Sequence, residues 1–160
     1  MLIAYKMINL KPHRQKPAFC GPASLKMVFG YYGIKKSETE LARLCGTDPE
    51  NGTRAHRMVA TAKQCGLQSF FKDNTSLAEL RKWVEGKGVP VIVNWFSVDE
   101  GHYSPVVAVT DKTITLMDPE LGRARRMTLE KFLGVWFDFN PPGPPSRKGL
   151  ILRRMIVIHP

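Results

Sequence analysis

The sequence has few cysteines and no long apolar run. Only three cysteines occur among its 160 residues, and no two of them form a CxxC pair, so neither a disulfide framework nor a zinc cage is expected. The longest stretches without charge, such as residues 88–98, are about half as long as the ~20 residues that a membrane helix needs. The first ten residues have a short apolar run followed by Lys6, unlike a secretory signal. We therefore expect a cytoplasmic protein without a membrane segment.

The composition also lacks the biases of disordered or fibrous chains. Apolar residues make up 43% of the sequence and charged residues 24%, which is typical of a soluble globular protein. No internal repeat is visible, and the length suits one domain of common size. We predict a single domain over residues 1–160.

Acidic residues are scarce relative to basic ones. The sequence has 14 Asp and Glu against 24 Lys and Arg, which gives a net charge of +10. Residues 1–80 hold 12 basic and 6 acidic residues, and residues 81–160 hold 12 and 8, so the excess is spread along the chain. Its tightest basic clusters are not interleaved with aromatic residues, as a base-stacking surface would be. No nucleic-acid partner is expected, while an anionic partner for the basic surface stays an open alternative.

Helix signals dominate the first half of the sequence, after an opening stretch (residues 2–8) whose loose alternation predicts an edge strand. A helix is predicted from Gly21-Pro22 to Gly33, because proline is tolerated in a first turn and glycine is a common C-terminal stop. Three further helices are predicted: one from the capping box of Ser37 and Glu40 to Cys45-Gly46, one from Thr53 to Cys65-Gly66, and one from the capping box of Ser76 and Glu79 to residues 86–88.

The second half changes to strand signals. Residues 89–96, 102–110 and 113–118 are rich in β-branched and aromatic side chains and are separated by short polar turns, which predicts a meander. A short helix after Thr128, a Pro-rich loop over residues 140–149 and a strand at 150–158 complete the prediction. Helices followed by an antiparallel sheet form the α+β pattern.

Cys20 differs from the other two cysteines in its predicted position. It lies just before a predicted helix N-terminus, where free N–H groups and the helix dipole favour an anion and can produce a nucleophilic thiolate. Cys45 and Cys65 lie near predicted helix C-termini, where the dipole disfavours a thiolate, and we interpret both as ordinary buried residues. Cys20 is therefore the candidate nucleophile.

A nucleophilic cysteine needs a base within hydrogen-bonding reach. His102 follows Gly101 at the start of a buried strand, a position that can hold the imidazole rigidly. His159 is close to the chain end, and His56 is predicted to be exposed. His13 lies on the loop before Cys20 and stays an alternative. We take His102 as the candidate base.

Asp118 ends the predicted strand that follows the strand of His102, and it is the candidate group to orient His102. Its carboxylate could hold the imidazole in the required tautomer. A two-residue turn at 111–112 places Asp118 opposite Pro105, on the wrong face of the sheet. An odd loop or a bulge places it opposite Ser104, on the same face as His102. The triad therefore requires a three-residue turn or a bulge.

Gln15 precedes the candidate nucleophile by five residues. Its side-chain amide and the backbone N–H of Cys20 could converge on one oxygen and form an oxyanion hole.

The stretches QKPAFCGPASLKMVFGYYG, GHYSPVVAV and LMDP together resemble papain-like cysteine peptidases. The resemblance is to the peptidase domains of bacterial ABC exporters that cleave double-glycine leaders from bacteriocins, and to their stand-alone relatives. It spans roughly residues 14–137. It implies a papain-like fold, a peptide or protein substrate, an acyl-enzyme intermediate and no metal or organic cofactor. By position, it implies Cys20 as nucleophile, His102 as base, Asp118 as orienting group and Gln15 as oxyanion donor.

Two alternatives remain at this point. The phrases PAFCG and GHYSP also resemble phytochelatin synthase, which implies transfer of a γ-glutamylcysteinyl unit between glutathione-like thiols. A non-catalytic peptide-binding module of the same fold is the other.

Overall fold

The computed structural model describes residues 5–140 and 146–160 of the protein. Five α-helices occur among these residues: α1 (Cys20–Tyr31), α2 (Glu38–Cys45), α3 (Ala55–Gln64), α4 (Leu77–Arg81) and α5 (Leu129–Val135). A π-helical turn, Lys82–Gly86, extends α4, and a short 3₁₀ helix forms at Arg147–Gly149.

Eight strands follow the helices or alternate with them. They are β1 (Gln68–Lys72), β2 (Val91–Ser97), β3 (Glu100–Val109), β4 (Thr113–Asp118), β5 (Arg123–Thr128), β6 (Phe137–Phe139), β7 (Leu150–Leu152) and β8 (Met155–His159). Six of them form an antiparallel sheet in the order β1-β8-β2-β3-β4-β5, and β6 pairs with β7 in a separate ribbon. The α+β prediction is therefore confirmed, as is the β2–β3–β4 meander.

The central strands are continuous apolar runs because helices cover both faces of the sheet. On β2, Ile92 packs with helices α1–α3, while its neighbours Val91 and Val93 pack on the opposite face with α4 and α5. Successive side chains of a strand point to opposite faces, so both sets are buried.

One hydrogen bond joins the helical layer to the sheet next to the candidate catalytic residues. The hydroxyl of buried Ser24, one turn into α1, donates to the backbone oxygen of Tyr103 on β3 at 3.2 Å. The start of α1 is thereby held against the start of β3.

Several predicted boundaries are confirmed and several are wrong. Helix α1 begins one residue earlier than predicted, and α2, α4 and α5 follow Ser37, Ser76 and Thr128, whose side chains cap them. Thr53 does not cap α3: Arg54 precedes the helix, and the Thr53 hydroxyl bonds to the hydroxyl of Thr47 at 2.8 Å.

The predicted strands at the two ends of the chain also need correction. Residues 1–4 lie outside the described residues, and residues 5–10 are not a strand, although the Ile8 N–H donates to the Val107 carbonyl at 2.8 Å. The predicted strand at 150–158 is two strands, because Arg153 between them has a φ of 46°. Half of the predicted Pro-rich loop, residues 141–145, falls outside the described residues.

None of the helices in the described part of the chain combines the length and apolar character needed to cross a membrane.

Candidate active site

Cys20 is the first residue of α1 and lines a cleft. Phe19 precedes it without a side-chain cap, and Ala18 has a φ of 65°, a backbone conformation uncommon for alanine. This tight turn brings the chain into the helix at the cleft, as the sequence predicted for Cys20. The cleft has a volume of about 450 Å³ and is also lined by Gln15, His102 and the loop over residues 49–52.

His102 is 5% exposed and lies between Cys20 and Asp118. Its Nε2 atom is 2.6 Å from Oδ1 of Asp118, and its ring packs edge-on against Trp95 with 5.5 Å between the ring centroids. Because Nε2 is used by Asp118, Nδ1 is the ring nitrogen left to face Cys20, which lines the same cleft as His102. The structure therefore binds His102 to Asp118 and brings Cys20 and His102 to one cleft.

The imidazole is in an environment that favours its protonated form. Burial would lower the pKa of His102, but the hydrogen bonds to Asp118 and Cys20 outweigh burial and raise the pKa to about 10. The ring is thus an imidazolium at neutral pH, next to the thiol.

Asp118 is fully buried and accepts hydrogen bonds only from donors that favour the carboxylate. Oδ1 accepts from His102 and from the Glu120 backbone N–H at 2.9 Å, and Oδ2 accepts from Nε of Arg125 at 2.6 Å. Burial acts to raise the pKa of Asp118, but these partners hold it below its ordinary value. Asp118 is therefore an anion beside the imidazolium.

A β-bulge places Asp118 on the correct face. The turn at 111–112 is tight, and Val109 pairs with Ile114, a register that would carry Asp118 to Pro105. The register shifts between Val106 and Ala108, so that Val106 pairs with Leu116. Continued along the strands, the shifted register brings Asp118 opposite Ser104, which is the bulged alternative of the sequence analysis.

Gln15 lies in the same cleft, and two backbone hydrogen bonds fix the loop that carries it. Its backbone N–H donates to the carbonyl of Pro119 at 2.8 Å, and the next N–H, of Lys16, donates to the buried carboxylate of Glu38 at 3.2 Å. The Gln15 Nε2 atom contacts the Lys16 carbonyl at 3.3 Å, and Oε1 is buried without a partner among the described residues. The structure thus brings Gln15 near Cys20, and its oxyanion role stays a prediction.

The other three histidines do not line the cleft that Cys20 shares with His102. His13, the alternative base, has its Nε2 atom 2.9 Å from Oε2 of Glu38. His56 is exposed on α3, and the ring of His159 packs against Trp83. Cleft geometry therefore favours His102 as the base.

Cys45 is buried as predicted, whereas Cys65 is only partly buried. Cys45 is 1% exposed, and its Sγ is 3.3 Å from the hydroxyl of Thr61. Burial raises the pKa of the Cys45 thiol. Cys65 is half-buried at the C-terminal end of α3.

The sequence analysis missed a polar cavity that adjoins the cleft and shares Cys20 and Asp138 with it. This cavity, of about 160 Å³, is lined among others by Asn94, Tyr103, Asp138 and Arg154. Asn94 is 2% exposed, and its Oδ1 has no partner among the described residues. Burial raises the pKa of Asp138, whose Oδ1 accepts the Phe139 N–H. Asp138 belongs to the short strand β6, which the pattern of apolar residues in the sequence does not predict.

Arg125 was also missed as part of the site. It is one of a run of arginines on β5, and only its pairing with Asp118 and its position 5.6 Å from the Trp95 ring centre distinguish it. The charge of a run of basic residues does not by itself identify the member that turns inward.

One group of side chains has the spacing of a metal site. Ligand atoms of His102, Asp118 and Glu120 lie within 4.8 Å of one another. The positive charge that Asp118 needs is already supplied by the imidazolium and by Arg125, and both would repel a further cation. This donor set does not fit a metal ion.

Gly101 allows Asp138 to approach the strand that holds His102. A Cβ atom at residue 101 would overlap the Asp138 carboxylate. We expect Gly101→Ala to lower the free energy of unfolding by about 1–3 kcal/mol through overpacking and to slow alkylation of Cys20. Urea unfolding and thiol alkylation measure the two effects.

The matched control is Gly134→Ala on α5, where a Cβ would have no atom within 4 Å. The same substitution there should raise the free energy of unfolding by about 0.5–1 kcal/mol, because alanine is the better helix former. Equal stability of the two variants would show that the Gly101–Asp138 contact does not constrain the site.

Comparison with solved structures identifies the same fold elsewhere. The peptidase domain of Streptococcus ComA, described as a bifunctional ABC transporter in a quorum-sensing pathway, is 24% identical, with a TM-score of 0.71 over 95% of this chain and 99% of that one. A double-glycine motif protease from an AMS/PCAT transporter, solved with its leader peptide, is 19% identical, with a TM-score of 0.74 over 99% of each chain. A C39-like peptidase of Bacillus anthracis has a TM-score of 0.73 at 16% identity and 98% coverage of both chains.

Sequence comparison gives a second, independent result. An uncharacterized protein of Methanothermobacter marburgensis is 37% identical over 106 residues, which cover 66% of this chain and 68% of that protein. A protein of Methanothermobacter thermautotrophicus, also uncharacterized, is 36% identical over 104 residues, covering 65% and 67%. Residues 12–139, a span that contains Gln15, Cys20, His102 and Asp118, match the peptidase C39 family. The chain is a member of that family.

Proposed function

We propose that the protein is a cysteine peptidase that hydrolyses a peptide bond through Cys20, His102 and Asp118. The observation that supports this most is the hydrogen bond from His102 to buried Asp118, with Cys20 and His102 lining one cleft. Membership in a peptidase family agrees with it.

In the first half of the reaction, the thiolate of Cys20 attacks the carbonyl carbon of the substrate. The S–C bond forms and the carbonyl electrons move to oxygen. As the tetrahedral intermediate collapses, the C–N bond breaks and the imidazolium of His102 gives its proton to the leaving amine. A thioester of Cys20 remains, with a neutral imidazole.

In the second half, His102 takes a proton from water, whose oxygen attacks the thioester. The C–S bond breaks, the carboxylic acid product leaves, and the thiolate–imidazolium pair is restored. Asp118 keeps the Nε2–H of the ring directed at itself throughout, so that Nδ1 faces the sulfur.

The developing oxyanion needs hydrogen-bond donors. We assign them to the backbone N–H of Cys20, at the start of α1, and to the side-chain amide of Gln15. The loop of Gln15 is fixed to Pro119 and Glu38, which limits its movement during the reaction.

The substrate we propose is a peptide with a glycine pair before the scissile bond. One of the matched structures is described as a double-glycine motif protease in complex with the leader peptide. We also propose that the protein acts in the cytoplasm, since a reducing compartment keeps a nucleophilic thiol free.

Alkylation of Cys20 tests the proposed pair without a substrate. Cys20 should react with iodoacetamide well below pH ~8.5, the ordinary thiol pKa, while Cys45 and Cys65 lag. His102→Ala removes the neighbouring positive charge and should raise the pH at which Cys20 reacts by more than about one unit. Peptide-level mass spectrometry from pH 5 to 9 measures all three cysteines at once.

His159→Ala is the matched control, because its ring packs against Trp83 and lines neither of the cavities that Cys20 lines. It should leave the pH dependence of Cys20 unchanged. The proposal fails if wild-type Cys20 reacts no faster than Cys45 or Cys65, or if His102→Ala and His159→Ala behave alike.

A further inference from the structure

A basic groove lies along α1, away from the residues of the triad. It has a volume of about 530 Å³ and runs between the loop that contains Lys11, the middle of α1 at Lys26, and the chain that follows α1 at Lys35 and Lys36. Four lysines therefore border one groove, although they come from three separate parts of the fold.

The groove has an excess of positive charge that is only partly compensated. Its lining contains no aspartate or glutamate. Lys36 is paired with Glu40 at 2.9 Å, whereas Lys11, Lys26 and Lys35 form no ion pair with any residue that the structure describes. Three ammonium groups are thus free to receive carboxylates.

The apolar part of the groove lining contains no Phe, Tyr or Trp. It consists of Met27, which is 3% exposed, together with Pro12 and Ile34. Single-stranded nucleic acids bind through stacking on aromatic side chains as well as through phosphate contacts, and the one lining ring, of His13, is bound to Glu38. An aliphatic side chain flanked by carboxylates matches both this apolar lining and the lysines that border the groove.

We propose that this groove binds an acidic segment of a polypeptide. Carboxylates of the segment pair with Lys11, Lys26 and Lys35, and an aliphatic side chain between them packs on Met27 and Ile34. This interaction is independent of the chemistry at Cys20, since none of these residues belongs to the triad.

The probe is a fluorescein-labelled 12-residue peptide of glutamates with two central leucines, and its binding is followed by fluorescence anisotropy. The variant Lys11→Gln/Lys26→Gln/Lys35→Gln should weaken binding about tenfold or more, the sum of three exposed ion pairs. The wild-type affinity should also fall as salt is added. Because Lys26 is half-buried, the double variant Lys11→Gln/Lys35→Gln, at two exposed positions, serves as a second test that avoids disturbing the helix.

The control Lys63→Gln/Lys82→Gln/Lys131→Gln removes the same charge at exposed positions outside the groove. It should change the affinity less than about twofold. Equal weakening by both triple variants would overturn the proposal, because binding would then follow net charge alone. Unchanged affinity after leucine-to-glutamine replacement in the peptide, or tighter groove-dependent binding of an oligothymidylate, would also overturn it.

Discussion

Cys20→Ala is expected to abolish peptide hydrolysis, with a loss of at least about 10³-fold in kcat, while the fold is retained. Without the sulfur, no acyl-enzyme forms, and the remaining oxyanion donors act only on direct attack by water. The residue is half-buried at the first turn of α1, so the loss of one sulfur atom leaves the helix and its core contacts in place. The measurement is turnover of a fluorogenic peptide that contains a glycine pair, beside the circular dichroism spectrum.

Cys45→Ala is the control for this experiment. It removes a sulfur from the core and the contact with Thr61, so it should cost about 1–2 kcal/mol of unfolding free energy and leave kcat unchanged. Full activity in Cys20→Ala would exclude Cys20 as the nucleophile.

Asp118→Asn is expected to lower kcat by about 10²–10⁴-fold, because the asparagine cannot satisfy the three donors around it. Hydrogen bonds reach the carboxylate from His102, Arg125 and the Glu120 backbone, and all three groups donate. In either orientation, the amide NH₂ of asparagine faces one of these donors. Either the imidazole loses the acceptor that fixes its tautomer, or Arg125 loses its hydrogen-bond acceptor.

The pH profile separates this effect from a general loss of stability. Because Asp118 is among the groups that raise the pKa of His102, Asp118→Asn should lower the pH at which kcat declines on the alkaline side. The isosteric control Asp99→Asn, at an exposed position in the turn between β2 and β3, should alter neither kcat nor its profile. A wild-type rate in Asp118→Asn would mean that another group orients His102.

Local sequence patterns were sufficient to predict the parts of the fold that depend on short-range chemistry. Ser37, Ser76 and Thr128 cap helices in the structure as their side chains predict, and the buried run on β2 is a strand. Strand β5 was missed because it lies at the sheet edge, and its side chains are mostly exposed arginines without alternating apolar residues.

The residues of the candidate site could be predicted from the sequence. Their geometry could be predicted only on the condition that a three-residue turn or a bulge occurs. The helix start identified Cys20, and the strand pattern identified His102 and Asp118. The bulge that brings the latter two to one face depends on how β3 packs between its neighbours, which no residue of the turn encodes. Asp138 and Asn94 come together only through tertiary packing, and their joint position beside Cys20 has no signature in the sequence.

The hydrogen bond between Ser24 and Tyr103 connects the two elements that carry the Cys20 sulfur and the His102 imidazole by a short structural path. It joins positions 79 residues apart, yet it lies four residues after Cys20 and one residue after His102. The long intervening chain, which includes α2, α3, β1 and α4, is not part of that path. A small shift of α1 along β3 therefore alters the separation of the reacting atoms directly.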